Sequence, residues 1–338
     1  PFVFDKDGYI PGVKVTYRKN TNYKPRSEPA SYAAGGKVVH FDTVEWLYIP
    51  DPATTMNALI AGEIDFWETP SPDLVAGMEG NPDITIKVID PLGTQGWLRP
   101  NHLNPPFDNA KARQALLHMV KQEDYLQAII GDQKFWRACA AYFMCDTPLD
   151  TDIGSGPLMN QDLDEARRLL KEGGYNGETL ILMDPTDIPV LHGASLVTAQ
   201  MLRKIGAKVE VQAMDWSTLT SRRAETKSIA DGGWNIFHTY STGADVASPI
   251  ANIGISGGCV EEAWFGWPCD KMLEDLRDQF SRESDPAKQV EIGIALQKRA
   301  YEVVPYVNYG QWFQPTAYRS SLKGVLISPV PFFWNIEK

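Results

Sequence analysis

Between Glu178 and Met214 the chain runs "ETLILMD", then "HGASLVTAQMLRKIG", then "AKVEVQAM". The first is an apolar run of strand length, the second carries helical spacing and ends at Gly206, and the third alternates as a strand does. Strand, helix and strand in so short a span leave one arrangement, a right-handed parallel crossover, and set the fold class as α/β. Open sheets of this kind bind ligands beyond the carboxyl ends of their strands. The spacing therefore points to the loop "DPTDIPVLHG", Asp184 to Gly193, and to a second loop, "STGADVASP", after the strand "WNIFHTY".

Two surface helices precede this unit. In "FDNAKARQALLHMV", Ala112, Ala115, Leu116, Met119 and Val120 share a face, with Asp108 or Asn109 placed to cap the start. In "DLDEARRLLKEGGY", Leu163, Ala166 and Leu170 do the same, and Gly173 or Gly174 ends the helix. The first hundred residues read as a separate α/β layer: strands in "VKVTYRK", "HFDTVEWLYI" and "DITIKVI", and a helix in "TTMNALIAGEIDF". Pro and Asn crowd Arg99 to Asn109, as expected where one domain hands over to the next, and the strand-like "LKGVLISPVPFFWNI" is expected to return to the first layer.

A length of 338 residues with 43% hydrophobic content fits two domains. No apolar run is long enough to span a bilayer, and "PFVFDKDGYI" lacks the features of a signal peptide, so any targeting segment is expected to have been removed. A formal net charge of -11, with Lys and Arg scattered, excludes nucleic acid and anionic membranes as partners. Four cysteines fall in two close pairs, Cys139 with Cys145 and Cys259 with Cys269, and the five histidines form no group beside them. The spacing suits two disulfides and an oxidising compartment better than zinc; four buried free thiols in a cytosolic protein is the alternative.

Signatures of chemistry are sparse. "GISGG" fits a hydrolase nucleophile elbow around Ser256, but "SPIAN" precedes it where a buried strand is needed. No phosphate loop, dinucleotide fingerprint or metal-binding helix occurs, so no cofactor and no metal is expected. Aromatics stand out instead in the connecting segments, among them Trp97, Trp136, Tyr142, Trp216, Tyr240, Trp264, Trp267 and Trp312. They could wall a pocket or plug a core. Asp187 and Asp245 each stand in a loop at a strand's carboxyl end, where an aspartate forms turns or meets a ligand.

The segments "PFVFDKDGYIPGVKVTYRKNTNYKPRSEP", "NALIAGEIDF", "PFDNAKARQALLHMVKQEDYLQAIIGD", "DLDEARRLLKEGGY" and "GADVASP" together resemble the extracellular solute-binding proteins of peptide ABC importers, the dipeptide- and oligopeptide-binding type of family 5. The likeness runs the whole chain. It implies a two-lobed periplasmic binding protein of type II with a discontinuous first domain, residues 1–97 and 311–338, and a second lobe, 98–310. It further implies that the N-terminal part of the first domain and an extra subdomain are absent, and that the chain is a truncated piece. A monomer is expected, closing on a solute between its lobes and presenting it to a membrane permease.

In dipeptide-binding members an aspartate of the "GADVASP" loop receives the peptide ammonium, which falls on Asp245. Where those members carry a carboxylate-binding arginine, within "DPTDIP", the nearest charge here is Asp187. A second acid repels a carboxylate, so an amine-bearing solute or amidated peptide is expected. Asp245, Asp187, Trp97, Asn101, Tyr240, Trp264 and Trp267 are the expected ligand-binding residues, with Trp264 and Trp267 held near the cleft by a Cys259–Cys269 bridge. A serine hydrolase using Ser256 is the second reading, and a chaperone or signalling domain the third.

Overall fold

The computed structural model describes residues 1–338. In chain order the strands are β1 Phe2–Phe4, β2 Lys14–Lys19, β3 Thr43–Leu47, β4 Phe66–Trp67, β5 Ile84–Val88, β6 Thr94–Pro100, β7 Trp136–Arg137, β8 Thr179–Pro185, β9 Lys208–Met214, β10 Ile236–Thr242, β11 Val307–Trp312 and β12 Pro315–Arg319. The helices are α1 Pro52–Ala61, α2 Pro72–Val75, α3 Ala110–Met119, α4 Gln122–Ile129, α5 Gly156–Met159, α6 Leu163–Glu172, α7 Pro189–Lys204, α8 Trp216–Arg222, α9 Gly243–Val246, α10 Cys259–Glu262, α11 Lys271–Arg282 and α12 Pro286–Val303. Two compact units result, Pro1–Gly93 with Phe313–Lys338, and Thr94–Trp312.

The larger unit is built on a six-stranded sheet of order β7-β11-β6-β10-β8-β9. β8 pairs parallel with both β9 and β10, so the crossover through α7 is the one that the spacing predicts. β6 runs antiparallel between β10 and β11. The helix starts are chemically specified: Asn109 accepts the Lys111 N–H at the head of α3, and Asp162 accepts the N–H groups of Asp164 and Glu165 at the head of α6. On one sheet face α4 and α7 pack through Tyr125, whose hydroxyl lies 2.7 Å from Thr198 Oγ1, itself 2.8 Å from His238 Nε2. On the other, Ile181, Met183, Leu219, Trp234, Phe237 and Trp267 form a core cluster.

The division falls at Gly93/Thr94 and Trp312/Phe313, ahead of the boundary expected at residues 97 and 98 and just after the return expected at 310 and 311. The reason lies in β6, whose first residues, Thr94 to Trp97, already pair with Thr242 to Thr239 of β10, so the whole strand belongs to the larger unit, and the residues after it follow. Asn101 Nδ2 donates to the Trp234 carbonyl and Asn104 Nδ2 to the Lys227 carbonyl, so a stretch that reads as a linker is stitched into the larger unit.

The smaller unit holds two three-stranded sheets, β1-β2-β3 and β4-β12-β5. Its return strand is β12, which lies between β4 and β5, and not the segment from Leu322 to Ile336. That segment contributes only the isolated bridge Lys323↔Glu337. Pro329 and Pro331 remove two ladder donors from it and Gly324 turns it at φ +73°, so its apolar residues pack without becoming a strand: Leu322 and Ile336 close a cluster with Tyr318.

Candidate functional site

β10 runs from Ile236, beside Asn235 in the core, to Thr242, where Thr242 opens the single turn α9. The Thr242 hydroxyl donates to Asp245 Oδ2 at 2.9 Å and accepts the Asp245 N–H at 3.3 Å. This reciprocal cap holds the carboxylate at an exposed position, at the carboxyl end of the strand. Tyr240, two residues before the end of the strand, is 45% exposed and meets the buried Trp312 edge-on at 5.8 Å. Partial burial pushes its hydroxyl pKa upward, so it remains a neutral donor and acceptor.

On the neighbouring parallel strand, Asp187 stands exposed past the end of β8 and accepts the Trp216 N–H at 2.8 Å. One residue of this surface has no counterpart among the sequence expectations. His192, in the first turn of α7, places Nδ1 2.9 and 2.8 Å from the two carboxylate oxygens of Asp184 at the end of β8. Asp184 is buried; His192 is half-exposed.

The remaining expected site residues lie elsewhere. Trp97 is buried in β6, donates to Gln95 Oε1 at 3.0 Å and stacks on Tyr306 at 4.6 Å. Asn101 is wholly buried beyond the amino end of β10. Trp267 is buried beside Trp234, and the partly buried Trp264 packs on Phe237, at the amino end of β10 and away from Asp245. The expectation that the cysteine loop walls the Asp245 surface is thereby corrected: its tryptophans belong to the core layer under the sheet. The loop is fixed by a Cys259–Cys269 disulfide and a Gly258↔Cys269 bridge, and Cys139 is bonded to Cys145.

Arg99 anchors this loop. It is fully buried with no carboxylate against it; its guanidinium donates to the carbonyls of Phe265 at 2.6 Å, Gly254 at 2.5 Å, Pro305 at 3.0 Å and Trp264 at 3.2 Å. Burial draws its pKa down to about 9. Ser256 follows a turn of 3-10 helix, not a strand, and its hydroxyl donates to Glu274 Oε1 at 3.2 Å, which is no nucleophile geometry. Among the chain's His, Cys, Asp and Glu side chains no group of three or more is placed to hold a metal ion. No helix is long and apolar enough to cross a membrane.

Residues 1–260 match the model of the bacterial extracellular solute-binding proteins, family 5. The chain belongs to that family. A probable peptide ABC transporter periplasmic-binding protein of Sinorhizobium fredii is 36% identical over 341 residues, covering all of this chain and 64% of that relative. An oligopeptide-binding protein of Bacillus subtilis is 25% identical across 88% of this chain and 56% of its own length. The chain thus spans about two thirds or less of the family 5 relatives it matches. Two solved structures share its fold with a TM-score of 0.80: a binding protein in complex with agropinic acid, 21% identical over 100% of this chain and 66% of that one, and a Helicobacter pylori binding protein in complex with the peptide STSA, 22% identical over 99% and 62%. The fold class is accordingly the α/β fold of two-lobed periplasmic peptide-binding proteins. Members of family 5 are solute-binding proteins and not enzymes, in keeping with the place of Ser256.

Proposed function

We propose that this chain is the solute-binding part of a periplasmic ABC-importer receptor, that it takes a small peptide or other amine-bearing solute at the strand ends of its larger unit, and that it delivers the solute to a membrane permease. The observation that carries the reading is Asp245. An exposed carboxylate, fixed by its own helix cap at the carboxyl end of β10 and flanked by the half-exposed Tyr240, is a ready acceptor for an ammonium group. The names of the relatives support a peptide as that solute. Binding of this sort needs no cofactor, and the net charge of -11 favours cationic groups over anionic ones in solution.

The test is capture from an equimolar library of random tripeptides with free ends, followed by chromatography and mass spectrometry of what the chain retains. Retained peptides should be lost when the library is N-acetylated, and retention should fall in Asp245→Asn. A chain that retains no peptide from the free library, or retains acetylated peptides equally, overturns this reading.

A further inference from the structure

The pair formed by Asp184 and His192 is a built feature of the strand-end surface that the amine reading leaves unused. Asp184 is 2% exposed and its carboxylate receives hydrogen bonds from a single group, His192 Nδ1, which sits between its two oxygens at 2.9 and 2.8 Å. A carboxylate accepts and cannot donate, so Nδ1 carries the proton; this fixes the ring's orientation and makes Nε2 the outward atom. The imidazole is 37% exposed, and Nε2 has no partner within the chain. The same arrangement orients metal-bound histidines, where a carboxylate behind the ring sets which nitrogen faces the ligand.

The surroundings decide what Nε2 faces. β8 and β10 are adjacent and parallel, with Met183 level with Phe237, so the loops after them open at the same end of the sheet. Asp187 follows β8 too, but its Oδ1 is engaged by the Trp216 N–H. Asp245 offers negative charge after β10, and the one side chain of basic character named at the ends of these two strands is His192. A solute whose carboxylate reached Nε2 would place the ring between two carboxylates. Carrying a proton on both nitrogens, the ring would donate Nδ1–H to Asp184 and Nε2–H to the solute.

We propose that His192, oriented by Asp184, receives the carboxylate of a zwitterionic solute whose ammonium is received by Asp245, so that the preferred class is a short peptide or amino-acid-like molecule with both ends free. This rests on the reading of Asp245 as the amine acceptor and adds the opposite pole. It also reverses the expectation, drawn from Asp187 alone, that a free carboxylate is repelled. Asp184 is a positioning residue: it touches the ring and not the solute.

The experiment is competition between the free-acid tripeptide library and the same library amidated at its C-termini, for the wild-type chain, His192→Gln, Asp184→Asn, and the double variant Asp184→Asn/His192→Gln. The double variant replaces the buried charge pair by two neutral amides and guards against misfolding of the singles, with circular dichroism as the check. Wild type should retain free acids over amides by about 10-fold, the worth of roughly one charge-assisted hydrogen bond. His192→Gln and the double variant should bring that preference to within about two-fold while still losing retention on N-acetylation. Asp184→Asn should lower the preference without abolishing it. Equal retention of acids and amides by wild type, or a preference that survives in the folded double variant, overturns the assignment of His192 while leaving Asp245 standing. No retention from either library overturns both.

Discussion

The N–H of Trp216, the first residue of α8, donates to Oδ1 of Asp187, which follows β8 twenty-nine residues earlier. Asp215, meanwhile, caps the same helix through Thr218, accepting its N–H at 2.8 Å and its hydroxyl at 2.7 Å. Two aspartates thus share the orphan donors of one helix start. Replacing Asp187 by Ala should cost about 0.5–2 kcal/mol in urea unfolding, and Asp187→Asn, which keeps an acceptor, less. An alanine variant as stable as wild type would show that the contact holds nothing.

Asp245 should behave in the opposite way. It is exposed, and its loss leaves no buried group unpaired, so Asp245→Asn should keep wild-type stability. Peptide affinity should fall by about 1.5–3 kcal/mol, roughly ten- to a hundred-fold, measured by calorimetry with the tripeptide best retained from the free library. A change within about two-fold removes the ammonium-acceptor role.

His238 gives the protein a pH dependence with a definite sign. Burial holds its pKa down at about 3, whereas an unfolded histidine titrates near 6.5. The unfolded chain therefore takes up the proton first on acidification. The stability associated with neutral His238 is complete above about pH 6.5 and is lost as pH falls toward 3, by at most about 1.4 kcal/mol per unit for one site. His102, pushed well down by burial and then by the charges of Arg113 and Arg99, acts in the same direction. Denaturant midpoints should drop between pH 7 and pH 5, and His238→Gln should remove one proton's share of the slope; an unchanged slope would mean that His238 titrates normally.

The two disulfides close short loops, of sequence separation 6 and 10. Replacing Cys259 and Cys269 together by Ser should destabilise the larger unit by about 2–3 kcal/mol in guanidinium unfolding. Because Trp264 and Trp267 pack in the core layer and not beside Asp245, tripeptide retention in dilute buffer should change little. Selective loss of retention with stability intact would place the loop at the site after all.

Gly96 has no room for a side chain, since a Cβ there would lie 2.0 Å from Cε2 of Tyr309. Tyr309 is buried and stacked on Tyr125 at 5.3 Å, so it cannot swing aside cheaply. Gly96→Ala should cost about 1–3 kcal/mol by thermal unfolding, and Tyr309→Leu in the same chain should restore part of it. Additive losses would indicate that the two positions do not meet.

Period and capping made the crossover legible: the apolar run of β8, the helical face of α7 and the alternation of β9 are local properties, and so are the caps at Asn109 and Asp162. The C-terminal apolar stretch misled because hydrophobicity alone does not show that Pro329 and Pro331 break its ladder, while the return strand, "PTAYR", is too short to stand out. At the surface, Asp187 and Asp245 could be placed because each follows a strand. Trp97, Asn101 and Trp267 could not, since partners such as Tyr306 and Trp234, far along the chain, decide their burial. His192 escaped notice because its meaning depends on Asp184 turning inward across a spacing of 8 residues, which no periodicity marks.

Arg99 holds the cysteine loop through the carbonyl oxygens of Trp264 and Phe265, with those of Gly254 and Pro305 completing the set, and its guanidinium also lies over the Trp264 ring at 5.3 Å. Every residue type supplies a carbonyl. The hydrogen bonds are therefore blind to the identities of the residues that supply them, whereas Trp264 contributes its ring face as well and Gly266, where a Cβ would lie 2.9 Å from Nε of Arg99, leaves no room for a side chain. Arg99 itself has no such latitude: a lysine has three donors on one atom where four carbonyls converge from different directions, and cannot span them. One buried fork thus fixes the loop chiefly by its backbone, and by its side chains only at Trp264 and Gly266.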